Sequence, residues 1–159
     1  MSIEHAGPFL VFVEEAHEDS ADLLFMPEAT ASDWATVFSH AEVRQVGAGL
    51  ALVQAGEDDR ALYLLTEGTV GVRLPRDESA FKTIDAPSVV GELAFFDGRP
   101  RSATLDAVTD VEVVRLDVEG FERLLAHEPA LAQTMLRDLA RILALRLRMA
   151  SAVIESLRG

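Results

Sequence analysis

Glycine at positions 47, 49, 56, 68 and 71 cuts the stretch from Val43 to Val72 into short segments of alternating texture. That rhythm constrains the fold more than any other feature. It suits antiparallel strands joined by tight turns, as in a jelly roll or barrel. Gly56-Glu57-Asp58-Asp59 and Glu67-Gly68 have the composition of turns. Pro75 to Ser79 reads as an exposed loop, and Phe81 to Val90 as further strands. Thr104 to Val108 and Val111 to Leu116 form two more, joined through Thr109-Asp110. Helices flank this β region. Ser32 is a candidate cap for a short helix in which Trp34, Val37 and Phe38 share a core-facing side. Asp117 caps a second helix from Val118 to Ala126, with Glu119 and Glu122 near its positive end. Pro129 suits the first turn of a third, uninterrupted to about Leu157 and roughly 40–45 Å long.

The strands deliver the chain to Gly91–Ala107, which reads G-E-L-A-F-F-D-G-R-P-R-S-A-T-L-D-A. After Gly91-Glu92, Leu93 to Phe96 can form one helical turn, whose start directs free backbone N–H groups toward an anion. Arg101 offers a planar fork of donors that suits a phosphate, and small Ser102 and Ala103 let backbone N–H groups reach the same oxygens. A carboxylate beside a phosphate is repelled by it, so Glu92 needs a donor such as a sugar hydroxyl. Phosphate plus ribose hydroxyl describes a nucleotide. Plainer readings stay open: Glu92 as a cap for the turn behind Gly91, and Arg101 in an ion pair with Asp97 or Asp106. Asp97 and Arg99 fit a solvated loop tip.

Gly91, Glu92, Leu93, Ala94, Pro100, Arg101, Ala103 and Thr104 resemble the phosphate-binding cassette of cyclic nucleotide-binding domains. The likeness extends over roughly residues 34 to 157. Gly56-Glu57 and Leu62 to Val70 look like that family's turn and core strand pair, and Phe121, Leu124, Leu125 and Pro129 fall where it has its last two helices. The resemblance implies a mainly β fold, a double-stranded β-helix (jelly-roll-like β-roll) with a short N-terminal and a long C-terminal helix. It divides the chain into an acidic N-terminal segment (1–30), the β-roll (31–127) and the long helix (128–159). It implies cAMP or cGMP as ligand, held by Gly91, Glu92, Leu93, Arg101, Ser102 and Ala103. Serine at position 102 is found in the family's bacterial cAMP binders, which favours cAMP. Val72 and Phe81 fall where the family presents apolar walls to the base. Counting forward from Arg101 without a gap, Arg146 and Leu147 fall where the family's long helix meets the base. Arg146 could stack its guanidinium on the purine, with Leu147 as an apolar lid, or else snorkel to solvent.

Composition narrows the alternatives. Among 159 residues, 49% are apolar, which supports one folded domain with a real core. The net charge of -13 is concentrated early: residues 1–43 hold nine acids and no Lys or Arg. So acidic a protein is repelled by DNA and anionic lipid, so direct nucleic-acid or membrane binding is not expected. No apolar run approaches the roughly 20 residues of a membrane span. Phe9 to Val13, a candidate extra strand, lacks the flanks of a signal peptide. Cysteine is absent, so disulfides and thiolate metal sites are excluded, and a cytoplasmic location is expected. The four histidines, His5, His17, His40 and His127, do not form the H-x-H pattern of a metal-binding cupin. With no nucleophile pair either, neither metal nor catalysis is expected.

Two apolar stripes run along the last helix. One comprises Leu136, Ala140, Leu143, Leu147, Ala150, Ile154 and Leu157; the other is Ala132, Met135, Leu139 and Ile142, continued by Arg146, Met149 and Val153. One stripe can cover the domain's own sheet and leave the other for a partner helix, which makes a homodimer the expected assembly. The sequence ends at Gly159 without a helix-turn-helix, so the expected function is a free-standing cyclic-nucleotide sensor acting through an unidentified protein effector or a second copy. The rival is a nucleotide-independent interaction module on the same fold.

Overall fold

The computed structural model describes residues 24–74 and 77–158, and for 77–82, 149, 150 and 153 the backbone only. The expectations for Phe9 to Val13 and for the acidic segment before residue 24 fall outside it. Among the described residues eight strands form two antiparallel sheets of four. The first has the order β1 (Glu42–Val46), β8 (Val111–Asp117), β3 (Ala61–Glu67), β6 (Ser88–Val90). The second has the order β2 (Ala51–Val53), β7 (Thr104–Ala107), β4 (Thr69–Leu74), β5 (Asp77–Asp85). Two four-stranded antiparallel sheets with flanking helices make the expected β-roll.

Pleating explains why β3 is the most apolar stretch. Ala61, Tyr63 and Leu65 point between the sheets, where they meet Val70, Val72, Ile84, Val90, Leu105 and Val113. Leu62 and Leu64 point the other way, into a second core that the helices complete. In β8, Val113 faces the first core while Val114 and Leu116 face the second. The link from β3 to β4 crosses between sheets through Gly68, whose φ of 90° suits glycine. A Cβ there would sit 2.4 Å from the Asp110 carbonyl oxygen, so the crossing packs directly on the loop between β7 and β8.

Among the described residues four helices cover the first sheet: α1 (Ala31–Ser39), α2 (Glu92–Asp97), α3 (Val118–His127) and α4 (Pro129–Arg158). The cap of α1 is Thr30, not Ser32; its hydroxyl accepts from the Asp33 backbone N–H while the Asp33 side chain accepts from Thr30 N. Within α1, Val37 is fully buried, Trp34 packs partly buried against the core, and Phe38 is 37% exposed, so the side presented to the core is narrower than expected. Asp117 caps α3 through Gly120 N at 2.7 Å. Where a loop is expected at 75–79, β5 already begins at Asp77, and residues 75 and 76 lie outside the described residues.

The two stripes of α4 part company. Ala132, Met135, Leu139 and Ile142 are fully buried. On the other stripe Leu147 and Leu157 are exposed, and Leu136, Leu143 and Ile154 are half-buried. Asp138 and Arg141 of α4 also hold the entering chain: Asp138 accepts from Met26 N and Arg141 donates to the Leu24 carbonyl.

Candidate functional site

Strand β6 passes into α2 through Gly91, which has φ 81° and caps the helix. A Cβ at Gly91 would meet Arg101 Nη1 at 2.6 Å, so glycine here makes room for the arginine. After Gly98 ends α2 in the left-handed region, the chain runs without regular structure to Arg101. The turn after β2 then fixes it: Arg101 N donates to Glu57 O at 2.9 Å, and Gly56 N donates to Arg101 O at 2.8 Å. The side chain of Arg101, 6% exposed, lies over the Tyr63 ring, 5.3 Å from its centroid. Nη1 donates to Gly91 O at 3.0 Å. Nη2 donates to Ala61 O at 2.7 Å and to Asp59 Oδ2 at 3.2 Å. Among the described residues Arg101 Nε is buried without an acceptor. The ion pair that the plainer reading places with Asp97 or Asp106 is made with Asp59, and Asp106 pairs with Arg73.

Asp59 is the hub behind Arg101. It accepts from Tyr63 Oη at 2.5 Å and from Arg115 Nη2 at 2.6 Å as well. Tyr63 and Arg115 are direct neighbours across β3 and β8, which is why one carboxylate reaches both. Burial pushes the Asp59 carboxyl up, but hydrogen bonds from Tyr63, Arg115 and Arg101 outweigh it and hold the group below the ordinary range. A lowered folded value means that the contribution is present above the unfolded pKa, about 3.9, and is lost as pH falls through the folded one. Asp59→Asn should therefore unfold at lower urea than the wild type at pH 7, and the gap should narrow below about pH 4. A gap that stays constant with pH would remove Asp59 from this role.

Glu92, the first residue of α2, is 0% exposed. Its Oε1 accepts from Arg146 Nη1 of α4, and Arg146 Nη2 donates to the Val89 carbonyl at 3.1 Å. Oε2 of Glu92 is buried with no hydrogen-bond partner among the described residues. Burial pushes the Glu92 carboxyl up, against the opposing charge of Arg146. One buried ion pair thus ties the long helix to the start of the cassette.

Of these side chains, Arg101 and Glu92 line a cleft of about 290 Å³. Gly91, Glu92, Leu93, Arg101, Ser102 and Ala103, all expected at the site, border it together, and Asp97 and Arg99 line it too. Its apolar wall is Val53, Ile84, Val90 and Leu105. Val72, expected as a wall for the base, is instead 0% exposed in the core between the sheets and is not in the lining. The side chain of Phe81 lies outside the described residues. Arg146 is only 5% exposed and is held by Glu92 and Val89. It neither snorkels to solvent nor offers a free face to a base. Leu147 is 67% exposed and does not border the cleft, because one residue along the helix turns the side chain outward. Sequence reasoning missed Asp59, Tyr63 and Arg115, and also Val53, Ile84 and Leu105. Asp59 sits in a run of acids that reads as a turn, and the aliphatic residues look like any other core positions.

Among the described residues no group of three or more metal-ligating side chains occurs, and no helix is long and apolar enough to cross a membrane. The family model for the cyclic nucleotide-binding domain matches residues 43–128. The chain is 34% identical over 96 residues to the CRP-like cAMP-activated global transcriptional regulator of Mycobacterium tuberculosis, covering 58% of this chain and 43% of that protein. It is 38% identical over 78 residues to the cAMP-dependent protein kinase regulatory subunit of Aspergillus fumigatus, covering 49% of this chain and 19% of the relative. The chain thus spans less than half the length of these two curated relatives. Among solved structures, the catabolite activator protein of Thermus thermophilus superposes with a TM-score of 0.70 at 27% identity, over 83% of this chain and 62% of that one. With the match covering more than half of its residues, the chain belongs to the cyclic nucleotide-binding domain family.

Proposed function

We propose that the cleft receives a cyclic nucleotide, and that the chain is a sensor rather than an enzyme. One observation carries the reading. Two buried polar atoms without partners, Arg101 Nε and Glu92 Oε2, belong to two side chains that line one cleft. A buried N–H donor suits a phosphate oxygen, and a buried carboxylate oxygen suits a hydroxyl donor. Phosphate is assigned to Arg101 with Ser102 and Ala103, and the ribose hydroxyl to Glu92. The base lies along Val53, Ile84 and Leu105. Of the two ligands cAMP is favoured, by Ser102 and by relatives named as cAMP-activated and cAMP-dependent.

Output passes through α4, because Arg146 touches the residue assigned to ribose. The exposed stripe with Leu147 and Leu157 then serves a homodimer or a protein effector, without direct contact to nucleic acid or membrane. A chain without cysteine suits the cytoplasm.

A second reading has its own support. The Nη groups of Arg101 already have protein acceptors, and Arg146 already occupies one oxygen of Glu92. Such a site is largely self-satisfied, as a nucleotide-independent interaction module requires. Titration calorimetry with cAMP, cGMP and 2′-deoxy-cAMP separates the two. Saturable heat with cAMP, weakened by loss of the 2′-hydroxyl, supports the sensor. No heat with either cyclic nucleotide at about millimolar concentration, the weakest binding worth about 4 kcal/mol, leaves the interaction module.

A further inference from the structure

Resting on the reading of the cleft as a nucleotide site, the geometry points to Arg60 as a positioning residue that sets the distance between Glu92 and Arg101. Arg60 opens the approach to β3 and lines no part of the cleft. Its guanidinium reaches across to the far end of α2. Nε donates to the Phe95 carbonyl at 2.9 Å, and Nη2 donates to the Phe96 carbonyl at 3.0 Å. These are last-turn carbonyls of a helix, groups that have no partner within it. The C-cap of α2 lies against the same side chain: a Cβ on Gly98 would be 3.5 Å from Arg60 Nε and 3.7 Å from its Cζ.

What makes this more than a cap is the neighbour. Asp59, the preceding residue, holds Arg101. Two consecutive residues therefore grasp the two halves of the site: Arg60 takes the helix whose first residue is Glu92, and Asp59 takes Arg101. The connection from Gly98 to Arg101 is irregular and cannot set that spacing by itself. The start of β3 can, since Ala61 O accepts from Arg101 Nη2 and Arg60 O accepts from Val118 N of α3. A fork is needed for two adjacent carbonyls, and a lysine, with a single charged point, does not supply one.

The test uses the full chain with Arg60→Gln and Arg60→Lys. Hydrogen exchange without ligand comes first: amides of α2, including Gly98 N–H on Ala94 O, should exchange several-fold faster in both variants, while those of β8 keep the wild-type rate. Calorimetry with cAMP should then show roughly tenfold weaker binding in both, a step worth about 1.4 kcal/mol. Unchanged exchange in α2 overturns the inference whether or not the wild type binds cAMP. Faster exchange with unchanged affinity makes Arg60 a cap only, which also overturns it. Wild-type affinity in Arg60→Lys would also overturn the inference, since the spacing would then be set without the fork. A wild type that fails to bind cAMP defeats the nucleotide reading instead, and the exchange result still decides whether Arg60 holds α2.

Discussion

Arg101→Ala should lower the affinity for cAMP by at least about a hundredfold, the equivalent of roughly 2.7 kcal/mol. A hydrogen bond to a charged group is worth about 1.5–3 kcal/mol, and the arginine brings both its charge and its free Nε–H to one place. Part of the loss is indirect. Without the side chain, the carbonyls of Gly91 and Ala61 each lose a donor, and Gly91 is the N-cap of α2. Asp59 is not stranded, since Tyr63 and Arg115 remain on it, so the variant should still fold. Calorimetry reads the affinity, and thermal unfolding checks the fold. A folded variant that binds cAMP as tightly as the wild type removes Arg101 from the site.

Arg146→Leu should be the most destabilising single change at the site, by about 3–5 kcal/mol at neutral pH, because it strands the charge of a fully buried carboxylate. The linkage fixes how that loss varies with pH. Burial already holds the folded pKa of Glu92 above its unfolded value, so the group's contribution is fully present below the unfolded value, near 4.3, and is lost as pH rises through the folded one. Removing Arg146 raises the folded value further. The variant should therefore recover stability as the pH is lowered and Glu92 takes up a proton in the fold. The double variant Glu92→Gln, Arg146→Leu should regain most of the loss at neutral pH, since no buried charge remains in it. Urea unfolding at two pH values measures both effects. A single variant equally destabilised at pH 5 and pH 7.5 would show that Glu92 is not the group left stranded.

Much of this was legible in the sequence where local chemistry decides the structure. Gly91, Asp117 and Pro129 announce their turn, cap and helix start because each acts on residues within a few positions. The cassette could be read for the same reason, as a short run of fixed types. What escaped depends on pairings between distant positions. Nothing around Asp59 indicates that Tyr63 and Arg115 will converge on it, since the second arrives only through the pairing of β3 with β8. Arg146 stood out as a charge in an apolar stripe, yet the stripe alone does not reveal which group it meets. That Glu92 lies there follows from how α4 crosses the first sheet. Val72 lies in the core, and is hard to place for a related reason: on a strand whose one face looks toward the other sheet, a fully covered residue and a wall of a cleft have the same spelling.

The pairing of β1 with β8 joins residues 42–46 to 111–115, so almost the whole roll, cassette included, lies inside a single long chain closure. Closures of that kind cost entropy before any contact repays it, and folds dominated by them form in roughly milliseconds to seconds. During synthesis the cassette leaves the ribosome well before Arg146, the residue that neutralises Glu92. A growing chain therefore has Arg101 before the proposed nucleotide site is complete. Because a ligand stabilises only the state that binds it, cAMP would act as a late selector of completed molecules and not as a template for early ones.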